Sequence, residues 1–171
     1  MPTRRHLLTT LAAAGLAPAL PAQAFWKDVT ELDWADLIPT GSDVTLLEEI
    51  RELGVVQHGE LSTGFEQVAA SGVTEAYNGQ EVRLPGFVVP LEFSATGVTQ
   101  FILAPFVGAC IHVPPPPANQ LVLVHSAKPY EMSDLFDPVE VTGLFNTAVT
   151  STELAEVGYT IEASKIRRYK A

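Results

Sequence analysis

The sequence predicts a small, mainly β domain preceded by helices, and three observations carry that prediction. Short apolar runs broken by Gly, Pro, Asn and Ser fill the chain from Gly79 onward. Five of them have strand length. The first contains Pro85-Gly86, and its hydrophobic phase changes there, as at a β-bulge or a sharp strand bend. A five-stranded OB-like barrel, closed or partly closed, is the simplest architecture with these features. A β-sandwich and an α+β sheet are the alternatives.

Residues 1–24 are set apart from fold reasoning, because they read as an export leader. Arg4-Arg5 supply the paired arginines of a twin-arginine signal. Leu11–Leu20 is apolar but too short to span a bilayer. Ala22-Gln23-Ala24 offers the small residues a signal peptidase accepts. An ordinary Sec leader is the alternative, and either route predicts a periplasmic protein. Cleavage near Ala24 leaves a chain of one-domain length.

The expected organisation is a helical arm over 25–78 and a barrel core over 79–171. In the arm, Trp34–Ile38 predicts one helical turn ended by Pro39. Ser42 or Asp43 caps a second helix through Leu53, with Leu46, Leu47, Ile50 and Leu53 on its buried face. Residues 55–79 are weakly patterned, with a short helix near Phe65–Ala70. In the core, Val82 and Leu84 alternate, then Phe87, Val89, Leu91 and Phe93 in the opposite phase. Val98–Pro105, Leu121–His125, Val139–Phe145 and Gly158–Ile166 complete the strands, with a helical turn over Ser151–Val157.

The 171-residue chain has 10 Lys+Arg against 20 Asp+Glu, a net charge of −10. Loss of Arg4 and Arg5 with the leader makes the remainder more negative still. Such a field repels nucleic acid and anionic headgroups and tolerates cations. No later apolar run has the length of a transmembrane helix. Cys110 is the only cysteine. It has no internal disulfide partner, and it must survive an oxidising compartment.

Phe106–Gln120 joins the second and third predicted strands and is long for a connection in a compact domain. Pro114, Pro115, Pro116 and Pro117 favour a stiff polyproline rod, expected on an edge or surface. In an extended backbone, Cys110 and His112 point to one face, roughly 7 Å apart. A thiolate and an imidazole so placed suit zinc or copper. They also suit an activated cysteine nucleophile. Simple packing of a buried cysteine accounts for the same residues. Two donors do not complete a zinc site, so His125, His58, Glu92 or Asp134 would have to join.

The blocks Leu84–Glu92, Phe101–Phe106 and Gly108–Gln120 resemble the bacterial domain family of unknown function DUF3299. Trp34 with Leu37-Ile38-Pro39, and Val141-Thr142-Gly143, are similar to that family too. The resemblance implies an exported protein, a lipoprotein in some members, often encoded beside ABC-transporter components, some of them linked to zinc or other metal supply. It implies no settled enzymatic activity. No lipobox cysteine follows the leader here, so a soluble form is expected.

Two main functions follow. One is a periplasmic metal-binding accessory protein that supports a transporter, with Cys110, His112 and His125 as ligands. The other is a non-catalytic adaptor for an ABC-transporter or another envelope complex. It would dock through Pro114–Pro117, Asn119 and Gln120, with Glu92 close by. A thiol enzyme is the third reading, and the absence of Cys-x-x-Cys excludes a dithiol oxidoreductase from it.

Overall fold

Short apolar runs, some alternating and some continuous, build five long strands, and their order closes them into a ring. The computed structural model describes residues 28–41, 67, 69–70, 72–107 and 115–169. Strand β1 is Thr30–Glu31, β2 Glu81–Ser94, β3 Gly97–Ala104, β4 Val122–Tyr130, β5 Pro138–Ser151 and β6 Glu156–Arg168. The ring runs β2-β3-β4-β6-β5 and returns to β2, with β1 outside it. All ring pairings are antiparallel except β4 with β6, which is parallel. Inward residues such as Val82, Leu84, Phe101, Val124, Val141 and Ile161 are fully buried and fill the interior. Phe145 and Tyr159 meet there with ring centroids 5.0 Å apart.

β2 serves several neighbours. β5 covers one edge from Glu81 to Phe87. On the other edge β1 pairs at Val82 and Arg83, and β3 takes over from Phe87. Between them the Trp34 ring Nε1–H donates to the Pro85 carbonyl at 2.8 Å. The N and C=O of one strand residue point the same way, so the donor that Pro85 lacks falls in this gap between strands. Gly86 sits where a Cβ would lie 2.8 Å from Leu103 Cγ and 2.9 Å from the Ala104 carbonyl oxygen.

Several expectations change. The register irregularities of β2 fall between Pro90 and Phe93, and pairing runs without a break through Gly86. Even-numbered residues stay inside from Val82 to Val88, while Val89 packs in a second cluster outside the ring. The apparent phase switch therefore reflects two apolar faces, not a bulge. Ser151–Val157 is no helical turn: β5 ends at Ser151, Thr152 closes a tight loop by accepting from the Leu154 and Ala155 N–H groups, and β6 begins at Glu156.

Among the described residues there is no α-helix. Of the expected N-terminal helices, the described residues contain one 3-10 turn, Trp34–Leu37, capped by Asp33, whose carboxylate accepts from Trp34 N. Gln67, Ala69 and Ala70 belong to no helix, and the helix expected from Asp43 to Leu53 lies outside the described residues. No helix among the described residues is long and apolar enough to cross a membrane.

Gly143 tests the closure. A Cβ there would lie 2.2 Å from the Glu162 carbonyl oxygen and 2.9 Å from Ala163 Cα. Both obstacles are backbone of β6 and have no rotamer to change. Gly143→Ala is expected to lower unfolding free energy by about 1–3 kcal/mol, read from the urea midpoint.

Candidate functional site

The β3–β4 connection leaves the barrel at Ala104 and re-enters at Pro115. Cys110, His112 and Pro114 lie in its undescribed part, as does His58 of the arm, so their geometry is outside the described residues. The connection's downstream base is described, and it differs from the sequence expectation. Pro115, Pro116 and Pro117 are buried, so they do not form an exposed rod. Asn119 and Gln120 are 4% and 1% exposed, so they offer no docking surface either. The physical reason is apolar area: proline rings pack well once their carbonyls find donors.

Side chains remote in sequence supply those donors. Gln67 Nε2 donates to the Pro116 carbonyl at 2.8 Å and to the Glu156 carbonyl at 2.7 Å. Its Oε1 accepts from Glu156 N at 2.8 Å, so one amide staples the proline run to the start of β6. A 3-10 turn, Ala118–Gln120, follows the prolines. There Gln120 Nε2 donates to the Trp34 and Asn119 carbonyls, each at 2.9 Å. Beside it the Tyr159 hydroxyl donates to the Leu37 carbonyl at 2.7 Å and accepts from Thr74 N at 2.8 Å. Burial pushes the Tyr159 hydroxyl above the ordinary phenol value of about 10; the Thr74 N–H opposes the rise and the Glu75 charge adds to it.

His125 is half-buried on β4, opposite Gln100 of β3 and Glu162 of β6. It alternates with the inward Val124, so it faces out of the ring. Glu92, opposite Gln100 on β2, is exposed and joins Leu91, Gln100, Leu123 and Glu153 around an outer cleft of about 410 Å³. Among the described residues no three His, Cys, Asp or Glu side chains converge as a metal site.

Asp137 has no precedent in the sequence reading. It is fully buried, and its carboxylate accepts from Ser133 N at 2.7 Å, Asp134 N at 3.2 Å and the Tyr130 hydroxyl at 3.2 Å. Arg168 Nη2 lies 3.4 Å from it. The Tyr130 hydroxyl is raised by burial first, then by the Asp137 charge and hydrogen bond, with Arg168 opposing. Asp134, considered as a ligand, here lends its backbone N–H to this knot. No motif marked Asp137 or Gln67; only a lone acid before a strand and a lone amide in an unpatterned stretch were visible.

The fold and the stapled connection define a closed five-stranded barrel with a clamped N-terminal strand and a Cys-x-His sequence on one long connection. The DUF3299 profile, described as a protein of unknown function, matches residues 34–168, and the chain belongs to that family. It is similar to the crystal structure of a DUF3299 family protein from Pseudomonas aeruginosa PAO1, at 39% identity and a TM-score of 0.66. That similarity covers 84% of this chain and 97% of the other. No curated protein matches the chain.

Tyr159→Phe is expected to cost about 1–3 kcal/mol, since the Leu37 carbonyl and Thr74 N–H lose a buried partner. The pH profile carries a second signature. Tyr159 is neutral in both states well below pH 10; above it the unfolded chain ionises first, so stability falls as pH rises. Urea midpoints between about pH 9 and 11 should fall less steeply in the variant, which loses the Tyr159 contribution and keeps that of Tyr130.

Proposed function

We propose that this chain is an exported, non-catalytic binding protein that takes a transition metal, zinc or copper, on its β3–β4 connection. Cys110 and His112 supply the first donors and His125 a third, in support of an envelope transporter. The barrel is read as OB-like because its ring order carries one parallel pair, β4 with β6, beside four antiparallel ones. Residues 1–24 are read as the leader that takes it to the periplasm.

One observation carries this reading. The chain is fastened immediately downstream of the Cys-x-His pair, through buried Pro115–Pro117, the Gln67 bond to Pro116 and the Gln120 bond to Trp34. A ligand-bearing segment that grows from a fixed base loses less conformational freedom when it closes on a metal. Thiolate and imidazole donors select zinc or copper over calcium or magnesium, whose ligands are oxygens. The net charge of −10 favours cations over anions at long range.

Untagged protein loaded with zinc or copper, then freed of excess metal, should retain about one metal per chain by elemental analysis. Cys110→Ala and His112→Ala should each weaken retention at least tenfold while leaving the urea midpoint of the metal-free protein unchanged. At a free metal concentration about 100 times Kd, the wild type should gain about 2.7 kcal/mol of stability. Retention near zero in the wild type, or retention indifferent to both substitutions, sinks the proposal.

A further inference from the structure

Apart from that connection, the ring has a seam that is only partly sewn. β4 and β6 pair from Val122 with Tyr159 to Ser126 with Ala163, and there the ladder stops. β6 runs on to Arg168 with β5 on its other edge. β4 meanwhile bows away: His125 pairs with Gln100, and the next pairing is Tyr130 with Val98. The result is a slot of about 350 Å³ whose walls include Lys128, Pro129, Tyr130, Ser164, Lys165 and Ile166.

We propose that this slot docks an extended acidic peptide segment of a partner protein, added as a strand along the open edge of β6. Three features of the slot specify that occupant. The first is length: Ser164–Arg168 extends about 16 Å, enough for a short strand rather than a single anion. Main-chain bonding along a strand edge supplies affinity in this mode of recognition.

The second is charge. The chain has a net charge of −10, yet Lys128 and Lys165 both stand on this one slot. Among the described residues neither lysine forms an ion pair, whereas Arg83, Arg167 and Arg168 each face a carboxylate. Ser164 Oγ donates to Glu81 Oε1 and to the Thr142 carbonyl, each at 3.1 Å, so the carboxylate bonded to Ser164 is held by a hydroxyl and not by either lysine. Lysines and a proline on an edge discourage pairing with neutral strands. An acidic strand turns the same charges into recognition.

The third is a preformed wall. Ser126 Oγ donates to the Lys128 carbonyl at 2.6 Å and holds the bow of β4. Tyr130, at its far end, is tied to the buried Asp137 carboxylate. The half-buried Ile166 supplies an apolar contact for alternate side chains.

The test uses full-length protein and fluorescence anisotropy of a labelled, end-blocked octapeptide alternating glutamate and valine. Saturable binding is expected, weakened about tenfold in the double variant Lys128→Gln/Lys165→Gln. Binding should be lost when the peptide backbone is N-methylated at alternate positions, which leaves its charge intact. It should also be absent for an alternating lysine–valine peptide. In the wild type alone, raising the salt to about 0.5 M should weaken binding, since both lysines are exposed. No saturation by 1 mM peptide overturns the proposal. Equal binding of the lysine peptide or of the N-methylated peptide overturns it too. Binding of anionic vesicles in place of the peptide would assign the slot to a lipid surface and overturn it likewise.

Discussion

The structure depends on the first half of β2, from Glu81 to Phe87, being hydrogen-bonded along both edges. β5 alone covers that half on one edge, and β3 reaches only the second half on the other. The uncovered stretch would leave backbone groups without partners in a buried strand, at a cost of about 1–3 kcal/mol each. Three devices close it. β1 pairs at Val82 and Arg83, the Leu32 N–H reaches the Arg83 carbonyl, and the Trp34 ring caps the Pro85 carbonyl. Remove the arm and the ring loses a wall, not an ornament.

From this it follows that arm and barrel are one physical unit. Leu32, Trp34 and Leu37 lie in the same buried cluster as Val82, Phe101, Val141 and Ile161. The backbone carbonyls of that arm then become acceptors for the rest of the molecule: Leu37 for the Tyr159 hydroxyl, Trp34 for the Gln120 amide. Gln120 in turn fixes the turn that follows the prolines. The order of the proline-rich base thus descends, bond by bond, from the need to finish β2. The ion pairs of Arg83 with Glu31 and Glu140 run along the same seam, and being partly exposed they add little beyond alignment.

Much of the barrel was legible because strands announce themselves by alternation or by short apolar runs. β2, β5 and β6 sit where apolar residues recur at about every second position, and β3 and β4 where they form the short continuous runs Phe101–Ala104 and Leu121–Val124, with edges displaced by several residues. β4 continues past His125 to Tyr130 through Ser126-Ala127-Lys128-Pro129, where no hydrophobic pattern exists to read. β1 was invisible for the same reason: two residues of strand have no period. The phase argument at Gly86 failed because Val88 and Val89 are both buried, one inside the ring and one in the outer cluster. A strand apolar on both faces imitates a bulge in sequence. The proline run misled in a related way, since composition gives conformation but not which elements fold over it. Gln67 and Asp137 escaped because a single polar side chain that satisfies several backbone groups carries no pattern at all.

These constraints also locate where binding can occur. Val, Leu, Ile, Phe and Tyr side chains fill the ring, and its charged residues stand on the outer surface or, like Asp137, at a loop. A small barrel packed in this way has no lumen for a ligand. Recognition then has to use what the packing leaves over: connections between strands, clefts on the outer face, and any strand edge that closure does not consume. Closure here consumes only part of the β6 edge, because β4 bows outward after Ser126. The bow is pinned at its two ends by pairing with β3 and within by the Ser126–Lys128 bond, so the open edge persists in the folded protein. An unconsumed edge invites indiscriminate pairing unless something on it discriminates. Lys128 and Lys165, without an ion pair among the described residues of an acidic protein, do so, repelling cationic strands and giving neutral ones nothing in exchange for desolvating charge.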